Sequence, residues 1–352
     1  MSKEEAYQNK KKIALAAIVL AIFLVAVTSY SYKRAIKSLD FSVQNNSSVI
    51  VKNCPDCVRR NLDGVYVSKG KENFYPVAVM IDNHINARPQ TGLSHAGLVY
   101  EAEVEGGITR YMAVFDSWED IKTVGPIRSA RPYFVDWAAE LSALYAHVGG
   151  SPDGLTRIAR ANILDLNEIY KGAYFFRDQT QSAPHNAYIT ADSVVKYLNA
   201  QGAKDGKFLS WNFKNDTPLS DRPESGKIKI LYRTSDFVVQ WNYQQESNNY
   251  TRFLGGTKHV DADGNEISAK NVIIMFVKFK VVDDKLRLSM DTIGSDKATI
   301  CLDGKCADGT WKKTSIASRT RFYNTDGQEI SLNAGNTWVE VVQPGTEIMN
   351  NE

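Results

Sequence analysis

Between Ile13 and Tyr30 the chain reads IALAAIVLAIFLVAVTSY, eighteen residues without a charge. At about 1.5 Å of rise per residue, such a helix just crosses a hydrocarbon core. Lys10, Lys11 and Lys12 precede the run, and Tyr30 and Tyr32 close it. Basic residues before and aromatic residues after predict a single span with the N-terminus inside. A cleaved signal peptide is the rival reading, but the run is long for one and no clean small-x-small site follows it. Lys33, Arg34 and Lys37 on the far side reduce the charge asymmetry. The expected order is a cytoplasmic tail over 1–12, a transmembrane helix over 13–32 and a polar stalk over 33–60, with the remaining chain extracytoplasmic.

That remainder is long enough for two domains. The formal net charge of the 352 residues is only +2, which gives no electrostatic footprint for nucleic acid. From 61 to 220, apolar runs of strand length alternate with helix-like segments: PVAVMI, then a helix opening at Pro132, then LYAHV, then TADSVVKYLNAQG with Thr190 as cap. This pattern predicts an α/β domain. From 221 to 352, short alternating runs such as KIKILY, DFVVQWNY, NVIIMFVKFK and NTWVEVV lie between Gly, Asn and Asp clusters and predict a β-rich domain. Its Trp241, Tyr243, Tyr250, Trp311 and Trp338 read as core.

The chemistry is concentrated between Val77 and Ser151. Gly106-Gly107 joins two apolar runs, and a two-residue Gly-Gly link predicts a hairpin. With that turn, Glu103 stands opposite Arg110 and Glu101 opposite Met112, so Glu101, Glu103, Glu105 and Arg110 share one face. Asp82 and Asn83 end the preceding strand, and Arg88 lies in the loop after it. Arg128, Ser129 and Arg131 come just before the Pro132 helix, whose N-terminus attracts anions. His147 ends the next strand, and Arg177, His185 and Asn186 follow in a later loop.

The segments VMIDNHINARPQTGLSHAGLVYEAEVEGGITRYMAVF, GPIRSARPYF, HVGGSP and PHNAY resemble the YerB-like family of bacterial extracytoplasmic proteins, a domain family of unassigned function. The resemblance covers most of the chain from Gly64 onward and is strongest from Val79 to Pro152. It implies a bacterial envelope setting. Members of that family are often lipoproteins, anchored through a cysteine directly after an apolar segment; here the first cysteine is Cys54, so the uncleaved helix takes the place of that anchor. Thr251, Arg252, His259, Asp261 and Asn271 also recur in the family, which implies that part of the β-rich domain faces the site.

Cys54-Pro-Asp-Cys57 admits a redox pair, half of a zinc site or a local disulfide. Cys301 and Cys306 have the spacing of a bridge across a hairpin loop. Outside a membrane two local disulfides are the expected state, and a zinc site shared by Cys54, Cys57, Cys301 and Cys306 is the alternative. Otherwise no cofactor is expected, although zinc or another divalent cation remains compatible with the acidic residues.

Asp82, Glu101, Glu105 and His147 are the catalytic candidates. Arginines nearby keep carboxylates ionised, which suits a base or metal ligand better than a general acid and disfavours glycosidase chemistry. Asn83, Arg88, Arg110, Arg128, Ser129, Arg131, Arg177, His185 and Asn186 are the ligand-binding candidates, because guanidinium matches phosphate and carboxylate bidentately. The expected function is a membrane-anchored envelope protein that binds an anionic glycan, a cell-wall polymer or a lipid-linked phosphate. A hydrolase or phosphotransferase acting on that ligand, and a scaffold for a partner protein, are the alternatives.

Overall fold

The structure, a computed structural model, describes residues 56–351. The expected tail, the expected transmembrane helix, most of the stalk and Cys54 lie outside them. Among the described residues no helix is long and apolar enough to cross a membrane. Cys57–Arg59, assigned by sequence to the end of the stalk, already pairs with Tyr66–Ser68.

A ten-stranded mixed sheet runs through both halves of the sequence. From one edge its strands are Arg321–Asn324, Lys305–Lys313, Gly294–Leu302, Asn271–Phe276, Thr337–Val342, Leu98–Glu103, Thr109–Phe115, Val77–Asp82, Leu144–His147 and Leu164–Asn167. The junction between the halves is a parallel ladder in which Leu98 faces Thr337 and Glu101 faces Glu340. All six residues of Val77–Asp82 are buried, as expected for a strand covered on both faces.

One face packs on a second, six-stranded sheet. Ile228, Val239, Trp241 and Tyr250 from that sheet meet Val99, Tyr111, Ile274 and Trp338 from the first. The other face carries two short helices, Pro132–Ala139 and Pro152–Arg160, and a hairpin formed by Phe279–Val281 and Leu288–Met290. Tyr133, Phe134 and Trp137 close over Met80, Tyr100 and Met112 there. The described chain is mostly β with few helices, so the α/β expectation for residues 61–220 is met in part, by short helices between the parallel strands Val77–Asp82, Leu144–His147 and Leu164–Asn167 and by the helix Ala191–Ala200. The Pro132 helix also stops at Ala139, short of Leu144, which belongs to a strand.

The helix starts follow local rules. Pro152 sits in the first turn and the Ser151 hydroxyl accepts from the Gly154 N–H at 3.1 Å, while the Thr190 hydroxyl accepts from the Ser193 N–H at 3.2 Å. Cys301 and Cys306 form the expected hairpin disulfide, which leaves no free thiolates there for zinc, and Cys57 is also disulfide-bonded. Trp241, Trp311, Trp338, Tyr243 and Tyr250 are all buried, as core residues.

Candidate functional site

The Gly-Gly hairpin forms one residue out of the expected register. Glu103 pairs with Thr109, Ala102 with Arg110 and Glu101 with Tyr111. The connection is a five-residue loop containing a 3-10 turn at Glu105–Gly107, with Gly106 at φ 72 and Gly107 at φ 76. Because side chains alternate, a slip of one transfers a whole set to the other face. Arg110 therefore shares its face with Asp82, its neighbour on the adjoining strand, while Glu101 and Glu103 lie on the opposite face beside Tyr111. The single charged face expected from sequence is two separate sites.

On the helix side, Arg110, Arg128 and Arg131 converge. Arg110 donates from Nη1 to the Ser129 carbonyl at 2.7 Å and is almost wholly buried. Burial, with the Arg131 and Arg128 charges, pulls its pKa down to about 10 against the opposing pull of Asp82. Arg128 places Nε 3.1 Å from Asp82 Oδ2, and His185 Nδ1 lies 2.7 Å from the same oxygen. Asp82 Oδ1 accepts from the His84 N–H at 3.0 Å, and the rings of His84 and His185 stack at 4.6 Å. Arg131 grips Glu105 bidentately at 2.6 and 2.7 Å. Burial opposes ionisation of Glu105, but the hydrogen bond and charge of Arg131 outweigh it and hold the carboxyl below its ordinary range.

Beside this cluster opens a cavity of about 510 Å³ lined by Glu105, Ser129, Arg131, Gly150, Ser151, Pro152, Lys285 and Arg287. Arg131 and Ser151 are the N-caps of the two helices, so two positive helix ends border it. The Nε of Arg110 is buried without a hydrogen-bond partner and lies close to Arg131, whose backbone also meets the buried Tyr145 hydroxyl. Burial drives the Tyr145 phenol well above its ordinary value, so it stands as a neutral donor.

The opposite face carries a buried polar network. Glu101 accepts from Thr109 Oγ1 at 2.6 Å, pairs with Arg252 and lies 3.4 Å from Asn83 Nδ2. Asn83 in turn takes Arg88 Nε at 3.1 Å, so Asn83, Arg88 and Glu101 belong here and not to the arginine pocket. Arg252 Nη1 donates to His259 Nδ1 at 2.8 Å, and His259 Nε2 meets Gln90 Oε1 at 2.9 Å. With Nδ1 accepting, the proton sits on Nε2; burial, then the Arg252 and Arg88 charges, keeps this ring neutral. Glu340, invisible as a site residue within the apolar run TWVEVV, accepts from Trp241 Nε1 at 2.9 Å and Tyr232 hydroxyl at 3.0 Å. Burial and the neighbouring Glu101 push it up to about 8.

The remaining candidates stand apart. Arg177 bonds Asn186 at 3.0 Å and Glu168 at 2.9 Å. His147 faces Asp165 at 2.9 Å and the Gly149 carbonyl at 2.6 Å, both ring nitrogens being engaged. Sequence reasoning missed Tyr145, Lys285 and Arg287. Nothing local marks them, because their neighbours in the pocket come from distant segments. No group of three or more His, Cys, Asp or Glu residues among those described is placed to hold a metal.

Residues 62–204 match the family model described as "Protein of unknown function (DUF3048) N-terminal domain", and 228–339 match its C-terminal counterpart. The chain is 30% identical over 272 residues to "Putative lipoprotein YerB" of Bacillus subtilis, covering 76% of this chain and 81% of that protein. A crystal structure of YerB protein from Bacillus subtilis superposes with a TM-score of 0.74 at 28% identity, covering 83% of this chain and 99% of the crystallised one. On these matches the chain belongs to the YerB-like family, which combines the DUF3048 N- and C-terminal domains.

Proposed function

We propose that this protein is an envelope anion receptor whose ligand, a phosphate- or carboxylate-bearing glycan or a lipid-linked phosphate, enters the pocket around Arg131. The observation that carries the reading is a cavity lined by Arg131, Lys285 and Arg287 and bordered by two helix N-termini, with the buried, unpartnered Nε of Arg110 close to Arg131. Buried polar groups are ordinarily satisfied, and an anion supplies acceptors to donors of this kind. Glu105 is the resident carboxylate on Arg131, and an incoming anion competes with it for the guanidinium. The relative's name, a lipoprotein, supports placing the folded part at the outer side of a bacterial membrane, and the uncharged run from Ile13 to Tyr30 is what supports a single-pass anchor over 13–32.

The crystallised relative covers 83% of this chain and is itself covered to 99%, which supports measuring residues 48–352 by themselves. The melting temperature of residues 48–352, measured with pyrophosphate, teichoic acid fragments and muropeptides, tests the reading. One anionic class should raise it, and Arg131→Ala should abolish the rise. No rise with any of them would return the arginines to a structural role.

The Asp82–His185 contact favours a second reading, in which the same ligand is turned over and His185, oriented by Asp82, accepts a proton. In that case His185→Ala retains the ligand-induced thermal shift and abolishes turnover. Retained turnover would exclude His185 as the base.

A further inference from the structure

We infer that the pocket's ligand carries two anionic groups, as a diphosphate or a bisphosphate does, and that Lys285 and Arg287 select it over a single phosphate. This rests on the anion pocket proposed above and names the class of ligand that fills it.

The cations lining the cavity come from two distant parts of the chain. Arg131 is the N-cap of the Pro132–Ala139 helix, whereas Lys285 and Arg287 belong to the hairpin of Phe279–Val281 and Leu288–Met290. No side chain caps that helix. An N-cap ordinarily offers an acceptor to the first free N–H groups, and a guanidinium offers none. The Ser151 hydroxyl, by contrast, serves its own helix by accepting from Gly154. Arg110, close to Arg131, is buried and makes no ion pair among the described residues. One anionic group on this side accepts from the helix N–H groups and from Arg131, in the place that Glu105 now holds on the guanidinium.

The hairpin brings an unmet charge of its own. The Lys285 ammonium has no hydrogen bond or ion pair among the described residues, while Arg287 pairs with Asp283. Asp283 Oδ1 also accepts the backbone N–H groups of Lys285 at 3.0 Å and Arg287 at 3.2 Å, which holds the two cations in one turn. Asp284 shares that turn but does not line the cavity. Phe279, Leu288 and Met290 are buried in the same core as Tyr133 and Trp137, so the hairpin is anchored to the helix that carries Arg131. Around the cavity three cations therefore stand against one carboxylate, Glu105, which Arg131 already grips. At about 510 Å³ the cavity lies within the roughly 300–1,000 Å³ of small-molecule pockets and exceeds a single phosphate. A lone phosphate on Arg131 leaves Lys285 unpaired; a second anionic group pairs it and meets the Arg287 fork.

Calorimetric titration of residues 48–352 with orthophosphate, pyrophosphate and glucose 1,6-bisphosphate tests the assignment. At least one of the two-group ligands should bind about tenfold or more tightly than orthophosphate, as one added charge-assisted hydrogen bond gives. Either one leading supports the assignment, and the order of the two shows whether the anionic groups are adjacent or spaced. Lys285→Met breaks no side-chain contact and should lose part of that advantage; with Arg287→Met added, the advantage should vanish. Lys280→Met removes an exposed charge from the same hairpin, away from the cavity, and should leave the advantage intact. Equal affinity for all three ligands, an advantage untouched by Lys285→Met, or an equal loss in Lys280→Met overturns the two-group ligand while leaving the anion pocket standing. Failure of all three to bind, or binding that survives Arg131→Ala, overturns the pocket itself.

Discussion

Glu340 shows how a single side chain can tie two halves of a sequence together and tune their stability. Its oxygens hold Trp241 and Tyr232, and it stands across the parallel ladder from Glu101, with Arg252 between the two carboxylates. Burial and the Glu101 charge raise its pKa from 4.5 to about 8. A carboxyl whose folded pKa is raised binds its proton more tightly in the native state. Its contribution is therefore complete below the unfolded value and is lost as pH rises through the folded one. Stability should fall from 4.5 toward about 8 on this account, and Glu340→Gln should flatten that fall. Asp116, pushed up to about 7 by burial beside Asp63, contributes a similar slope in both proteins, so the difference between the two melting profiles isolates Glu340. Identical profiles would mean that Glu340 ionises as readily folded as unfolded.

Among the elements, the loop at Glu105–Gly107 decides most. It sets the register of the hairpin and presents Glu105 to Arg131. Both glycines have positive φ, but their surroundings differ. A Cβ on Gly107 would come within 2.9 Å of Arg233, whereas one on Gly106 meets nothing within 4 Å. Gly107→Ala should cost about 1–2 kcal/mol from the backbone conformation alone. Gly106→Asn should be nearly neutral, since Asn tolerates the left-handed region. Urea denaturation of the two variants distinguishes them, and an unchanged midpoint for Gly107→Ala would show that the loop relaxes without strain. The sequence signalled a turn here correctly, because Gly-Gly is a local signal. It could not signal the loop length, since whether Val104 and Ile108 extend the ladder depends on how both strands dock onto the rest of the sheet.

At the scale of the molecule, the ten-stranded sheet crosses the boundary between the two matched family segments, 62–204 and 228–339. Residues 56–220 expressed alone would leave the Leu98–Glu103 strand without its parallel neighbour and Glu101 without Arg252, a buried charge lacking its counter-ion. That fragment should show no cooperative melt, whereas Ser48–Glu352 should unfold in one calorimetric transition; two separate transitions would mean that each half is stable by itself. The sequence by itself determined what depends on near neighbours: the apolar runs that became strands, Pro132, Ser151 and Thr190 at helix starts, and the Cys301–Cys306 bridge five residues apart. It also marked Arg110, Arg128, Arg131 and Asp82, which the fold does bring together. Only the tertiary structure decided which charges meet. Arg252 reaches Glu101 across 151 residues of sequence, and a one-residue register moved the glutamates to the face away from Arg110. The physical reason is that strand pairing has a period of two, so a small change in a loop reverses every side chain beyond it, while ion pairing in a buried network depends on partners that no local pattern specifies.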